Sequence, residues 1–595
     1  MSSHLPKKRP NHLAGLLACL VIGIPAAPQP VTAATPSVTV LFPPVVQAGR
    51  AASITVSGGD LGTLTGLVSA GGELQTSSVT KSVINVNVSR DTRAGLLDAW
   101  TLTSTGLSNP RALLVVTHPV TVVAETPDSQ ATPISLPGTA ASKLDRAADR
   151  DVFAFTGESG QLVHIACRSR SLDGTVAPIL SVHGPTGQEL AHSFVHQVEP
   201  KLALKLPADG RYLVTVVDRG FQQDASSLYT LTLETGPRLQ ATSPTAICGG
   251  GKLLVIGHEL PFGTAHSQTG LSAMPVALDR FLSHRSWPDR RPVGVLDSGF
   301  RLRLSNCSGT AWVTHSHEPV VTETSEQNDT AATAQLLEPP VRICGAFERS
   351  ADVDWYAVDV QKGETLEIVG WGERLGQSMR LEAIVHDRTG KALATIAPPA
   401  APKKIGFDFP YTTYDPHASW KAPADGRFRI VVRDIFGGSI FGPDRVYQLV
   451  ISPPRKRFQA FSVVGDGKTH SGLSIAAGGK ATLQVLVIRM GGSESPVEVT
   501  AEDLPEGVTA ATVTVAAGKP VATLTLEANA QAKPSQSPIR LVAKTGTDNS
   551  GRPVLPVVHL PGPAPVRRVT DALMLSVTPA SPPPPKKAPA DKKTP

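Results

Sequence analysis

The residues best placed to do chemistry lie between Glu323 and Asp359. Glu326, Asn328 and Asp329 form an acidic cluster there, a short strand follows, and Asp352 and Asp354 precede an alternating strand that carries Tyr356. The same order of features recurs upstream, with Glu125 and Asp128 standing where Glu326 and Asp329 stand, and Asp149, Asp151 and Phe153 where Asp352, Asp354 and Tyr356 stand. A repeated module of this length is a domain rather than a solenoid unit. His315 and His317 with Glu318 are expected on one strand and could touch a metal. Alternate strand residues share a face, but no third ligand converges, so they read as a surface pair. Phe407, Phe409, Tyr411, Tyr414 and Trp420 crowd one short segment of a chain with only 5% aromatics. Phe407, Phe409 and Tyr411 alternate, so they make either one stacking face for sugar or peptide, or core filling. The catalytic signatures G-x-S-x-G, H-E-x-x-H and G-x-x-x-x-G-K are missing.

The elements that must position these residues are strands. With 595 residues the chain needs several cores, and four or five domains is the expectation. Hydrophobic residues at 41% and charged ones at 18% fit a folded soluble protein, while 52 Gly, 52 Pro and only 5 Met point to many turns and few long helices. An all-β array of sandwiches follows. The formal charge of +6 includes Lys7, Lys8 and Arg9, leaving about +3 without them, too little for a nucleic-acid footprint.

Residues 1–33 read as a secretory signal: a basic start, an apolar core from Leu13 to Ile24, and small residues at Val31-Thr32-Ala33. Twelve apolar residues are too few to span about 30 Å of hydrocarbon, so export with removal is expected rather than anchoring. Cys19 sits in a lipobox-like context, but the apolar residues after it argue against lipidation. Four cysteines remain in an oxidising setting, with three connectivities open. Cys248 with Cys307 is the most natural pair because both fall in one segment, whereas Cys167 and Cys344 suit buried free thiols equally well.

Periodicity and turns divide the rest. An Ig-like sandwich is expected over 34–119, the first long module over 120–236, a second Ig-like sandwich over 237–321, the second long module over 322–454, and a third Ig-like sandwich over 455–580. Val56–Leu61 (VSGGDL) in the first Ig-like segment matches Val255–Leu260 (VIGHEL) in the second, and both long modules close with an Ala-Asp-Gly turn and a Tyr-containing strand. The tail over 581–595, rich in Pro and Lys, cannot pack and reads as an extended spacer.

The acidic segment with N-D-T, the D-x-D followed by Phe or Tyr, the P-A-D-G turn and the final Y-x-L strand together resemble the bacterial pre-peptidase C-terminal domain over both long modules. The resemblance implies small non-catalytic β-sandwiches alternating with Ig-like domains in an exported bacterial protein. In some members of that family the acidic linker binds calcium, and a face is offered to fibrous protein or polysaccharide. Carried over residue by residue, it implies a calcium site at Glu326, Asn328, Asp329, Asp352 and Asp354, departing from the family pattern only at Gln327, where Pro is usual. Repeat one departs more, because Pro127 replaces the Asn. Oxygen-only ligands suit a hard cation that takes six to eight oxygens. Such domains accompany proteases, and Asp297 in RPVGVLDSGF and Ser272 in GLSAMP resemble subtilisin-type motifs. Ser272 precedes Asp297, no partner His motif follows, and the segment is too short, so Asp297-Ser298-Gly299 reads as a turn. The expectation is therefore an exported, non-enzymatic binding or spacer protein, secreted, periplasmic or at the cell surface, with extracellular protein or polysaccharide as partner. The alternatives are an accessory or remnant of a secreted protease, and a carbohydrate-binding protein.

Overall fold

Apolar residues recur at every second position along most of the chain, and that period builds pleated strands with one buried face. In Val353–Val360, for example, Asp354, Tyr356, Val358 and Val360 all face the core. The computed structural model describes residues 36–580 apart from 125–126, 128–129, 194–197, 250, 266–269, 279–297, 325–326, 401–402, 407–408, 412, 438–439, 466–471, 547 and 561–565. Its described residues are nearly all β, with no α-helix among them and two single-turn 3-10 helices at Arg170–Leu172 and Glu373–Leu375. The proposed signal and the Pro/Lys tail lie outside the described residues.

The two long modules have one topology. In the first, one sheet runs Val120–Val122, Gly138–Lys143, Leu228–Thr235, Leu162–Arg168, Lys201–Lys205, and the other Thr132–Pro133, Arg150–Gly157, Gly210–Asp218, Pro178–His183, Glu189–His192. The second repeats both orders with Val320–Thr322, Val341–Ala346, Val446–Ser452, Thr365–Trp371, His417–Lys421 and with Gln335–Leu337, Val353–Val360, Gly426–Asp434, Leu381–His386, Ala392–Ile396. In each sheet the first, short strand pairs parallel to the second, and the remaining pairs are antiparallel. Each 3-10 turn is followed by a residue in the left-handed region, Asp173 (φ 61°) in one module and Gly376 (φ 83°) in the other.

The Ig-like segments also pair two sheets. Ser37–Phe42 to Arg111–Val116 gives four and five strands, and Arg238–Ser243 to Ala311–His315 gives four and three. The last segment builds a larger, branched sheet from Arg457–Val464 to Leu573–Thr578.

The modules do not string out in a line, because the last segment packs back on the first two. Arg568 is buried against Asp98 and Asp173, donating to Asp173 at 2.7 and 3.0 Å. Trp100, Leu107 and Met574 share one small core, and Ser474 Oγ accepts the Leu107 N–H at 2.8 Å. Gln448 of the second long module donates to Thr245 and Thr314 of the second Ig-like segment at 3.0 and 3.1 Å, and its own oxygen accepts from Arg342 at 2.7 Å. Buried polar groups satisfied across a boundary fix relative placement as well as contact.

Candidate functional site

The acidic cluster assembles where the chain leaves the parallel strand Val320–Thr322 and where it turns into Val353–Val360. Asp352 closes the turn Glu348–Asp352: its carboxylate accepts the Glu348 N–H at 2.8 Å and the Val353 N–H at 3.1 Å, while Ala351 takes the left-handed conformation (φ 58°) that makes the turn tight. One residue on from Val353, the strand alternation points Asp354 inward. There it accepts from Asn328 Nδ2 at 3.2 Å and from the Tyr447 hydroxyl at 2.7 Å, and Tyr447 meets the Tyr356 hydroxyl at 2.6 Å. Asn328 is 1% exposed and is pinned by its own carbonyl, which accepts the Trp355 N–H at 2.7 Å. That bond brings Asp329 over the turn. Oxygens of Asp329, Asp352 and Asp354 all lie within 4.8 Å of one another.

Four of the five expected ligands are therefore brought to one place, and Glu326 lies outside the described residues. Glu323, absent from the expected set, joins them. Its Oε1 accepts the Ala346 N–H at 2.7 Å, while Oε2 is buried with no hydrogen-bond partner among the described residues. A side chain added at Gly345 would meet both Glu323 Oε2 and the Tyr447 hydroxyl at 2.6 Å, so glycine there is what admits the carboxyl beside the tyrosine. The electrostatics follow from crowding in a dry place. Burial, and next the Asp354 charge, push the Glu323 carboxyl up to about 10. Burial also pushes Asp354 up to about 8, opposed by the Tyr447 hydrogen bond and reinforced by Asp352 and Asp329.

The converging atoms, carboxylate oxygens of Asp329, Asp352 and Asp354 from two segments, fit a hard dication, and the unpartnered buried Oε2 of Glu323 lies outside that converging group. Arg349 is the competitor. Its guanidinium pairs with Asp329 and with Asp352, the latter at 3.1 Å, and its side chain is 54% exposed.

In the first module Asp149 repeats the turn, accepting the Asp145 N–H at 2.8 Å and the Arg150 N–H at 2.9 Å with Arg146 at 3.1 Å. Asp151 is instead capped by Tyr229 and by Ser142 Oγ at 3.0 Å. Glu125 and Asp128 lie outside the described residues.

Other sequence expectations are corrected. All four described cysteines are free, so Cys248 and Cys307 are not bridged. Ile247 pairs with His315 at one end of Ala311–His315 while Cys307 precedes the other end, which puts roughly 16 Å of strand between two thiols whose Cα atoms need to lie within about 7 Å. His315, His317 and Glu318 do not share a strand, because Ala311–His315 ends before Pro319: His317 is exposed, and Glu318 is buried 3.6 Å from Arg342. His315 packs on Phe300. Phe409 does not contribute to an exposed stacking face. Phe409 is 2% exposed in the core of the last segment beside Phe461 and Leu486, and Trp420 is 8% exposed in the core of its own module against Phe428. Tyr414 is exposed, under Arg380, while Phe407 and the side chain of Tyr411 lie outside what is described. Ser272 Oγ accepts the Leu260 N–H at 2.8 Å and donates to the Gly257 carbonyl at 3.2 Å, a strand-edge role, while Asp297 lies outside the described residues.

No family model matches the sequence, and no curated protein matches it. Among solved structures the chain is similar to the pre-peptidase C-terminal domain of collagenase from Bacillus anthracis, at 18% identity over 18% of this chain and 99% of that one with a TM-score of 0.15. It is also similar to the Bacteroides ovatus protein SGBP-B, solved with a mixed-linkage heptasaccharide, at 11% identity over 69% and 76% with a TM-score of 0.13. A third match is the surface layer protein SbsC, domains 1–6, at 12% identity over 92% of this chain and 55% of that one with a TM-score of 0.13. The matches thus include a pre-peptidase C-terminal domain among multidomain β proteins, and the similarity is weak.

Proposed function

We propose that the chain is an exported, non-catalytic binding protein of the bacterial envelope or exterior, built from five β-sandwich domains, whose second long module is held in shape by calcium. The carrying observation is the convergence of Asp329, Asp352 and Asp354, with the orphaned oxygen of Glu323 beside them. Carboxylates so placed repel or hold protons, and a bound dication reverses that sign. Asp329, Asp352, Asp354 and Asn328, with Glu323 behind them, would hold the ion, and Glu326 is carried as a further ligand by the sequence pattern alone. What the ion supplies is a tie between the segment leaving Thr322 and the turn at Asp352, which fixes a surface for an extracellular protein or polysaccharide partner.

Binding is favoured over a spacer role because the last segment folds back onto the first two through Arg568, which an extended rod would not do. The test is thermal unfolding of the full chain with calcium, with magnesium and with chelator. Calcium should raise the transition and magnesium should do less, since it keeps its waters and demands a smaller octahedral shell. Identical curves in all three, or a calcium shift that survives Asp329→Ala with Asp354→Ala, would leave the cluster a solvated turn.

A further inference from the structure

Three large apolar side chains stand exposed together at one end of the second long module, beside the acidic cluster. The strand Gly426–Asp434 ends there, and the residues after it run between two neighbours. Ile435 donates its N–H to the Arg380 carbonyl at 2.8 Å, and the Gly437 carbonyl accepts at 3.1 Å from the N–H of Ala351, in the turn that carries Asp352. Ile435 is 50% exposed and Phe436 41%. Beside Arg380 stands Tyr414, 44% exposed, with the guanidinium carbon 3.7 Å from its ring centre. That guanidinium makes no ion pair among the described residues, so no carboxylate balances it.

The fold does not require these side chains. In the first module Arg219 donates its N–H to the Ala177 carbonyl at 2.9 Å, and the Phe221 carbonyl accepts the Ala148 N–H at 3.2 Å, so the same backbone bonds form around other residues. In register, Ala177 stands where Arg380 stands, Arg219 where Ile435 and Gly220 where Phe436. The first module keeps a single exposed apolar side chain here, Phe221. The second therefore presents to water a cluster of apolar surface that its own core does not use, and such a cluster marks an interaction site.

The mix of side chains selects among ligands. A sugar platform needs open aromatic faces, but Arg380 already covers one face of Tyr414, and Ile435 has none to offer. Loop ends bearing Ile, Phe and Tyr beside an unbalanced guanidinium match the boundary of a lipid bilayer. Apolar groups enter the acyl edge, a tyrosine hydroxyl stays at the headgroup level, and an arginine fork takes phosphate oxygens. We propose that this tip docks on the surface of a bilayer containing anionic phospholipid, Ile435 and Phe436 entering the bilayer and Arg380 holding phosphate. The turn that carries Asp352 is bonded to the tip, so a dication in the acidic cluster cancels carboxylate charge that the anionic surface would otherwise meet. Calcium should therefore strengthen docking. The proposal goes beyond the binding role argued above and rests on it for the chain's place in the envelope or exterior.

The experiment is co-sedimentation of the full chain with vesicles of phosphatidylcholine, alone and mixed with an equal part of phosphatidylglycerol, in calcium and in chelator, at low and at high salt. The chain should bind the mixed vesicles, less tightly as salt rises, and pure phosphatidylcholine far less. Ile435→Ser and Phe436→Ser, at exposed positions that the first module fills with Arg and Gly, should each weaken binding by about tenfold or more. Arg380→Gln should remove most of the preference for phosphatidylglycerol and flatten the salt dependence, which a structural role alone would not do. Absence of binding to the mixed vesicles in calcium, equal binding of both vesicles, or binding unchanged in both apolar variants overturns the proposal. Capture of a soluble protein through Ile435 with vesicles ignored does the same. A thermal transition raised by calcium without vesicle binding removes the tip and keeps the calcium reading, whereas vesicle binding with melting curves unmoved by calcium does the reverse.

Discussion

The two long modules share their strand order and diverge at a handful of matched positions, and those differences show how one scaffold is turned to two ends. In register, Val123 stands where Glu323 stands, Ser142 where Gly345, Phe153 where Tyr356, and Asp173 where Gly376. The first module fills the space beside its inner aspartate with a hydroxyl, so Asp151 is satisfied by Ser142 and Tyr229 and needs no ion. The second empties that space, admits a second carboxyl and stacks Asp329 over it, so the half-exposed Arg349 is the cation that meets its charge from within the module. At the 3-10 turn the roles reverse. Asp173 donates its carboxylate to a neighbour, accepting from Arg568 and from the Ala112 N–H at 2.9 Å, while Gly376 offers nothing. At this turn the first module reaches a distant segment, whereas the second module, tied to its neighbour through Gln448 instead, gathers an acidic site.

The sharpest way to break this comparison is at Arg568. It is buried with Asp98 and Asp173. Burial alone would raise the Asp173 carboxyl, but Arg568 together with Arg111 and the Ala112 N–H outweighs burial and holds it below the ordinary carboxylate range. Arg568→Met leaves two buried aspartates without their cation, which should cost about 3–5 kcal/mol in denaturant unfolding. Gly376→Asp, the mirror change in the second module, should cost far less. Equal losses from the two would mean that the 3-10 caps are interchangeable and that the first module has no special tying role.

Next in size is the calcium response. At about a hundred times the dissociation constant, calcium should add about 2.7 kcal/mol to the folded state. Asp329→Ala with Asp354→Ala should abolish the shift, and Asp149→Ala should lower stability while leaving the shift in place. A calcium shift that vanishes with Asp149→Ala would locate the site in the wrong module.

Smaller again is Glu323→Val, which installs the first module's residue. An unsatisfied buried carboxyl costs about 1–3 kcal/mol, so in chelator the variant should be more stable than the parent, and its calcium response weaker. The sign with pH is set by the raised carboxyls. Without a cation, Asp354 and Glu323 hold protons in the folded state that the unfolded chain has released above about pH 4. Their contribution is present below that pH and is lost as pH rises through about 8 for Asp354 and about 10 for Glu323. Glu323→Val should flatten the upper part of that decline, and chelator titrations of stability at several pH values measure it. A parent and variant with parallel pH curves would remove Glu323 from the cluster.

Much of this was legible in the sequence where the physics is local. Period-two alternation, the D-x-D ahead of a strand and the closing turns exposed the all-β architecture and the repeat, and the turn geometry placed Asp352 and Asp354 on its own. Glu323 was not legible: three residues before the expected cluster it reads as the end of a strand, and only the parallel pairing of Val320–Thr322 with Val341–Ala346 sinks it beside Asp354. Alternation grouped Phe409 with its neighbours but could not say whose core it enters, and that core belongs to the following segment. The Cys248–Cys307 pairing failed because shared membership of one segment says nothing of which end of a strand each residue reaches. Asp173 and Arg568 are far apart in sequence, and no local pattern connects them.

The smallest expected effect concerns one matched position outside the cores, His164 in the first module and Glu367 in the second. Both sit third in equivalent strands, Leu162–Arg168 and Thr365–Trp371, and both point away from their own core toward packed neighbours. Burial disfavours charge on each, which gives opposite pH slopes. Burial first, then the Arg238 and His258 charges, push His164 down to about 4 against a hydrogen bond to the Gly236 carbonyl, while Glu234 lies on the adjoining strand, paired with Arg238. The unfolded chain takes up a proton near pH 6.5 that folded His164 refuses, so its contribution is present above that pH and is lost as pH falls toward 4. Burial raises Glu367, opposed by Arg457, so its contribution is present below the unfolded value near pH 4.3 and is lost as pH rises through its folded value. His164→Gln should therefore flatten the acid limb of the stability profile, and Glu367→Gln should flatten the decline above pH 4.3. Unfolding midpoints of the two variants across that pH range decide it: if both variants change the same limb, burial is not what separates the two modules at this position.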